Sequence, residues 1–144
     1  MKFVPSQTQT NKMKKSTIGI FGVFVMMQVA CSSSSFKGTW QYDGGIYNDK
    51  QQKSSPDFKM QRTYTADKYE AFILEDGAEP EKYGSGRYEI KGDSFLVTSE
   101  YSSQPSQLID KTIRYKFKID KDHLTLNGIL PNGMRVEEYW KKVK

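Results

Sequence analysis

Cysteine and histidine are almost absent from this 144-residue chain, which has one of each, Cys31 and His123. A lone cysteine forms no intramolecular disulfide, so the fold must be held together by its hydrophobic core. One residue of each type is also too few for a Cys/His zinc site, and His123 beside a predicted turn is typical of an exposed residue. We therefore expect no metal, no cofactor and no enzymatic activity.

A surplus of positive charge is missing from most of the chain, although the formal net charge is +5. Residues 1–30 contain four lysines and no acidic residue, which leaves 18 basic and 17 acidic side chains in the remainder. Nucleic-acid binding depends on clustered positive charge that neutralises phosphates. The near balance beyond residue 30 argues against this class of partner, and we expect no nucleic acid to bind.

Motifs that carry chemistry are lacking as well. The serines at 32–35 are not part of a Gly-x-Ser-x-Gly nucleophile motif. The acidic residues between 75 and 81 do not follow the spacing of a calcium-binding EF-hand loop, so a solvated loop is the simpler interpretation. Gly84-Ser85-Gly86 precedes no predicted helix and is not a phosphate cradle.

Long apolar runs are limited to one segment near the N-terminus. Met13-Lys14-Lys15 precedes an apolar run of about ten residues, which is too short to cross ~30 Å of hydrocarbon comfortably as a helix. A charged start, a short apolar segment and a small residue before a cleavage site are typical of a signal peptide, with a transmembrane anchor as the alternative. We expect residues 1–30 to be a signal peptide, and residues 1–12 to be a start-site artefact upstream of Met13.

Cys31 determines which kind of signal this is. Val29-Ala30-Cys31 resembles the end of a bacterial lipobox, although Gln28 stands where that motif usually has an apolar residue. The resemblance implies that Cys31 is lipidated and anchors the chain in a membrane, which several acyl chains do firmly. Residues 31–35 would then be the lipidated cysteine and a flexible serine tether. Resemblance to other Gram-negative lipoproteins also implies the outer membrane, because serine rather than aspartate follows the cysteine. The serine tract lacks the acidic run that some of these bacteria use for surface display, so we expect the domain to face the periplasm.

Helical periodicity is absent beyond residue 35, where apolar and polar residues alternate between turn signals. The clearest case is 112–119 (TIRYKFKI), and the segment 43–56 is polar and glycine-rich, which predicts a long loop with room for a helical turn. The predicted strands are 36–42, 58–64, 69–74, 83–90, 94–101, 112–119, 123–130 and 134–142.

Eight strands with mostly short connections are expected to pair antiparallel with their neighbours in sequence. Such a sheet leaves two free edges unless it closes, so we predict an all-β, eight-stranded up-and-down barrel over 36–144, with a β-sandwich as the alternative. Sixteen of the nineteen aromatic residues lie in 31–144, which suits a packed or ligand-lined interior.

Gly38-Thr39-Trp40, on the first predicted strand, looks like the Gly-x-Trp signature of lipocalins. With Tyr83-Gly-Ser-Gly-Arg-Tyr88 and the closing Glu137-Glu-Tyr-Trp-Lys-Lys-Val143, the chain resembles small bacterial lipocalin-like lipoproteins over residues 36–144. The resemblance implies that Gly38 and Trp40 close the base of the barrel and that a late basic residue packs across the tryptophan. Three residues are candidates for that partner: Arg135, Lys141 and Lys142.

Alternation along the second predicted strand directs Arg62 inward with its apolar neighbours, where an unpaired charge is costly. It would meet the carboxylate or phosphate of a bound amphiphile, or else pair with Glu138. We expect a monomeric, lipid-anchored envelope protein that binds a small hydrophobic or amphiphilic molecule, the alternative being a protein-interaction module with a filled core. The candidate ligand-binding residues are Phe58, Met60, Arg62, Tyr64, Tyr88, Phe95, Tyr101, Tyr115 and Phe117.

Overall fold

The structure, a computed structural model, describes residues 36–144. The predicted signal peptide, the lipidation of Cys31 and the serine tether lie outside the described residues. The strands are β1 (Gly38–Tyr47), β2 (Lys50–Gln52), β3 (Phe58–Tyr64), β4 (Lys68–Glu75), β5 (Glu81–Lys91), β6 (Ser94–Ser102), β7 (Thr112–Asp120), β8 (His123–Ile129) and β9 (Arg135–Lys142).

The sheet closes on itself. From β3 to β9 each strand pairs antiparallel with the next, and β1 pairs with both β3 and β9. This confirms the predicted eight-stranded antiparallel up-and-down barrel. Closure removes the free edges that an open sheet of this size would expose. Among residues 36–144, no helix is long and apolar enough to span a bilayer.

The segment 43–56 differs from its prediction. It holds no helical turn: β1 continues to Tyr47, and β2 folds back on its end to form a short ninth strand. Asn48 and Asp49, at the turn between them, have φ angles of 47° and 66°. Two consecutive residues with positive φ are typical of the tight hairpin turn whose twist matches that of its strands. The other predicted strands agree with the structure to within two residues at each end.

Aromatic rings fill the end of the barrel at which β1 begins and β9 finishes, called here the closed end. Phe36, just before β1, is 1% exposed, and its ring centroid lies 4.7–5.7 Å from those of four other aromatic residues. Edge-to-face and offset stacking at such distances stabilises packed aromatic clusters beyond the area they bury. The four neighbours are Tyr64, Tyr88, Phe95 and Phe117.

Trp40 lies beneath this cluster, and its indole Nε1 donates a hydrogen bond to the Phe36 carbonyl at 2.8 Å. The Nζ of Lys142 lies 4.4 Å from the centre of the Trp40 ring, which selects Lys142 among the three basic candidates. Gly38 has a φ of 110°, and a Cβ there would lie 2.8 Å from the Lys142 Nζ. Glycine at this position therefore lets the lysine reach the tryptophan.

Candidate ligand site at the bulged end of the barrel

The opposite end of the barrel is built differently, because three β-bulges interrupt its strands. A bulge adds one residue to a strand, so that every side chain beyond it changes face. The extra residues are Asp43 in β1, Tyr83 in β5 and Glu100 in β6. This region is called here the bulged end, and it includes the loops 53–57, 76–80 and 103–111.

Two of these bulges change which tyrosines face the barrel interior: one turns Tyr83 inward, and the other turns Tyr101 outward. Tyr83 is the extra residue of β5, and its ring packs against the core with a buried hydroxyl. Beyond the bulge in β6, Tyr101 pairs with outward-facing Ser85 and is 47% exposed. The expectation that the Tyr101 side chain points into the barrel is thus corrected, although Tyr101 still lines the cavity described below. Tyr83, at a position that regular alternation with Tyr88 directs outward, takes an interior place.

Arg62 lies inside the barrel, as alternation predicted. Its Nη1 is 3.7 Å from Oε2 of Glu138, and its Cζ lies 4.6 Å from the centre of the Trp140 ring. About 25% of its side chain stays exposed, yet its Nε is buried with no hydrogen-bond partner among the described residues. Burial alone lowers the pKa of Arg62, but the Tyr83 hydroxyl and the Glu138 carboxylate raise it above its ordinary value. The guanidinium therefore stays charged.

Glu138 is the centre of a buried polar network. Tyr47, which the bulge in β1 turns inward, donates a hydrogen bond to its Oε1 at 3.2 Å, and Trp140 donates to its Oε2 at 3.1 Å. The hydroxyls of Tyr42 and Tyr47 lie 3.1 Å apart. Burial and the nearby Glu138 carboxylate raise the pKa of Tyr47, so its hydroxyl remains a neutral donor. The carboxylate is held in place from several sides.

A row of small residues next to Arg62 leaves a cavity at the bulged end that opens to solvent. Arg62 pairs with Ala71, Ala71 with Gly84, and Gly84 with Ser102, and cross-strand partners share a face of the sheet. The cavity has a volume of about 120 Å³. It is lined by Arg62, Tyr69, Ala71, Tyr83, Gly84, Ser99, Tyr101, Ser102, Ser106 and Leu108.

The loop 103–111 covers this cavity on the side of β6. The Asp110 amide donates to the Ser99 carbonyl at 2.8 Å, and Ile109 forms a parallel bridge with Ser99. Ser106 and Leu108 of the loop contribute to the lining. Inside, the hydroxyls of Tyr69 and Ser99 lie 3.0 Å apart, so these two groups satisfy each other. By contrast, the hydroxyl of Tyr83 is buried without a partner among the described residues.

The other predicted ligand-binding residues lie elsewhere. Phe58 and Met60 line a separate crevice of about 230 Å³, between the diverging strands β1 and β3. Tyr115 lies on β7, where it pairs with Phe95 of β6 and Gly128 of β8. Burial, with a smaller contribution from the Glu138 carboxylate, raises the pKa of its hydroxyl to about 12. Of the predicted ligand-binding residues, only Arg62 and Tyr101 line the cavity. The residues packed in the closed end are Tyr64, Tyr88, Phe95 and Phe117.

Two larger depressions, of about 360 and 340 Å³, lie on the outer surface of β4–β7. Several of their charged side chains already form ion pairs, as in Lys82–Glu70 at 2.6 Å and Arg87–Glu100 at 2.5 Å. Among the described residues, no buried side-chain atom without a hydrogen-bond partner belongs to the lining of these depressions, so they are weaker candidates than the cavity beside Arg62, despite their size. Within residues 36–144, no group of three or more His, Cys, Asp and Glu side chains is placed to hold a metal ion.

Two crystal structures of bacterial proteins resemble this barrel. An uncharacterized protein from Bacteroides eggerthii has a TM-score of 0.55 and 16% identity, covering 74% of this chain and 98% of its own. A lipocalin-like protein from Bacteroides uniformis has a TM-score of 0.52 and 16% identity, covering 74% of this chain and 97% of its own. The sequence matches no family model and no curated protein. The likeness establishes a lipocalin-like fold.

Proposed function

We propose that this is a non-enzymatic, lipid-anchored protein of the cell envelope whose barrel binds a small amphiphilic or hydrophobic molecule at the bulged end. The observation that carries the proposal is the cavity beside Arg62. Its lining combines one charged group, several hydroxyls, and the apolar surfaces of Ala71 and Leu108. Small-molecule sites usually have mostly apolar walls with a few polar groups, whereas this lining is more polar than apolar, which suits the polar end of an amphiphile.

The size of the cavity limits what enters it. Pockets for drug-sized ligands occupy about 300–1,000 Å³, whereas this cavity has about 120 Å³. An engineered cavity of roughly 150 Å³ in another protein accommodates benzene, so about six non-hydrogen atoms fill a space of this order. A larger amphiphile would place one end inside and leave the rest at the rim of the barrel.

The proposed lipid anchor is inferred from the sequence around Cys31. The fold indicates how the anchored barrel would be oriented relative to the membrane. The described chain enters at the closed end, where Phe36 is buried between aromatic rings. A lipid on Cys31, five residues earlier, would hold this end near the membrane and direct the bulged end away from it. We place the protein at the outer membrane, facing the periplasm, as a monomer.

A second candidate function is supported by the packing of the closed end. There the aromatic side chains fill the barrel, with Trp40, Phe95 and Leu126 at most 1% exposed. A filled barrel is suited to presenting its outer face or loops to another envelope protein, without any ligand. The two functions differ in one measurable property, which is uptake of a small molecule.

Titration of the purified full chain with a fluorescent fatty acid and with its neutral alcohol analogue tests the proposal. We expect saturable binding of at least one probe to folded protein, and loss of it on unfolding in urea. Gly84→Ala is the matched variant: its Cβ would lie 3.6–3.7 Å from the nearest atoms, so the fold accepts it while the cavity shrinks. Absence of saturable binding of both probes would leave the interaction module as the function.

The anchor is tested separately by mass spectrometry of the protein extracted from bacterial membranes. We expect Cys31 at the mature N-terminus, carrying acyl chains. Mature protein with an unmodified Cys31 would contradict lipidation and leave the binding function unaffected.

A further inference from the structure

We propose that the cavity selects a carboxylate, which Arg62 and Tyr83 bind together. This inference rests on the proposed function and specifies the chemistry of the ligand. Both residues line the cavity, and the Nε of Arg62 and the hydroxyl of Tyr83 are buried without a hydrogen-bond partner in the described part of the chain. A buried donor left unpaired costs about 1–3 kcal/mol. Two such donors at one cavity favour an acceptor that occupies it.

One edge of the Arg62 guanidinium carries the unpartnered donor Nε. Its ion pair with Glu138 uses Nη1, and its Cζ lies over the Trp140 ring, 4.6 Å from the ring centre. In every arginine Nε and Nη2 lie on one edge, so the edge away from Nη1 carries the unpartnered Nε. A carboxylate matches this fork with both of its oxygens, whereas an alcohol or amide accepts less strongly there.

The charges of Arg62 and Glu138 and the volume of the cavity limit the class of ligand further. Glu138 balances the charge of Arg62, so a monoanion is accommodated more readily than a dianion such as phosphate. With about 120 Å³ available, the carboxylate and a few carbon atoms fill the cavity. The ligand class is therefore a short monocarboxylate, or the carboxylate end of a longer amphiphile.

The bulge in β5 gives Tyr83 its role. In an unbroken strand, the residue before Gly84 would face outward, because Gly84 and Gly86 pair with inward-facing residues of β4. The bulge at Tyr83 directs its side chain inward instead. Tyr69, whose hydroxyl also lies at the cavity, is already bonded to Ser99. Tyr83 is therefore the hydroxyl left to serve a ligand.

The test compares butyrate with the isosteric butyramide, using the purified full chain. Binding is followed by the ¹H–¹⁵N signal of the Arg62 Nε–H group and by isothermal titration calorimetry. We expect butyrate to bind at least about tenfold more tightly than butyramide and to shift the Nε–H signal, since hydrogen bonds to charged groups contribute about 1.5–3 kcal/mol. Inorganic phosphate is expected to leave the signal unchanged at concentrations that saturate with butyrate.

Three variants assign the effect to residues. Arg62→Lys keeps the charge but loses the fork, and we expect about tenfold weaker butyrate binding. Tyr83→Phe removes only an unpaired hydroxyl, so the fold is kept while butyrate affinity falls several-fold. Arg87→Lys is the control, because Arg87 pairs with Glu100 on the outer face and its loss should leave butyrate affinity unchanged.

The remaining results of these experiments would overturn the carboxylate assignment, the proposed function, or both. Equal affinity for butyrate and butyramide, or tighter binding of phosphate, overturns the carboxylate assignment, while uptake of the neutral fluorescent alcohol would still support the proposed function. Failure of both fluorescent probes overturns the proposed function and with it the carboxylate assignment, whereas failure of butyrate alone overturns only the assignment. If Arg62→Lys does not fold, Tyr83→Phe decides, and unchanged butyrate affinity in that variant overturns the inference.

Discussion

The two ends of the barrel are built from the same strands but differ in the regularity of those strands and in the side chains that face inward. In the closed end the strands are regular, and the inward side chains are mainly aromatic, packed around Phe36 and Trp40. In the bulged end three extra residues shift the alternation, and the interior receives a guanidinium, a carboxylate and several hydroxyls. A filled core and a polar cavity thus coexist in one small sheet, because bulges at the rim re-aim only the side chains beyond them.

The contrast shows in which strands the alternation of the sequence predicts the facing of side chains correctly. It predicts the facing of a side chain correctly along an unbroken strand, as for Tyr64, Tyr88 and Phe95. Past a bulge it predicts the opposite face, as for Tyr101 and Tyr83. Four comparisons, ordered from the largest expected effect to the smallest, test this division.

Trp40→Ala should cost the most stability, about 3–5 kcal/mol, because it empties a large buried site in the closed end. Tyr101→Ala, on the outer face, should change the free energy of unfolding by no more than about 0.5 kcal/mol. Urea denaturation of both variants measures the difference. Similar losses for the two would contradict the placement of Tyr101 outside the barrel.

Alkaline pH should destabilise the fold through buried tyrosines. Burial raises the pKa of Tyr115 to about 12, from an ordinary value of 10.0. The unfolded chain therefore loses its proton first, so this contribution is complete below pH 10 and is lost as the pH rises toward 12, by up to about 2 kcal/mol. Urea midpoints between pH 8 and 11.5 follow the loss, and Tyr115→Phe should show a shallower decline. An identical decline in this variant would place the titrating group elsewhere.

Glu138→Gln should cost about 1–2 kcal/mol, because it leaves the Arg62 charge unbalanced inside the bulged end. We expect less than the loss typical of a fully buried pair, since Arg62 is partly exposed and lies 3.7 Å from its partner. Glu100→Gln, which breaks the exposed pair with Arg87, is the control and should cost about 0–1 kcal/mol. Thermal and urea unfolding compare the two, and a larger loss for Glu100→Gln would sink the assignment.

The smallest effects concern two tyrosine hydroxyls at the cavity, and they should have opposite signs. Tyr69→Phe loses a hydrogen bond to Ser99 and should cost about 1 kcal/mol. Tyr83→Phe removes a hydroxyl that has no partner in the described structure, and should leave the ligand-free protein equally stable or stabilise it by up to about 1 kcal/mol. Calorimetric unfolding without ligand distinguishes them; a clear loss for Tyr83→Phe would show that its hydroxyl is bonded.

The site was predictable in part. Period-2 alternation in β3 placed Arg62 inside, and Glu138 was already its alternative partner, because both facts follow from regular strands. Tyr83 was missed because a bulge depends on the register between two strands, which no local pattern shows. The one available signal was the pair of glycines after Tyr83, since glycine in a strand often marks a bulge.

The sequence by itself determined the all-β class, the positions of the strands and the side chains that regular strands direct inward, because these depend on local alternation and turn residues. The tertiary structure decided the closure through β1 and β9, the choice of Lys142 beneath Trp40, the exchange of Tyr101 for Tyr83 and the size of the cavity. Each of these depends on register and packing among strands far apart in the chain, and the volume left inside is what remains after all of them have been packed.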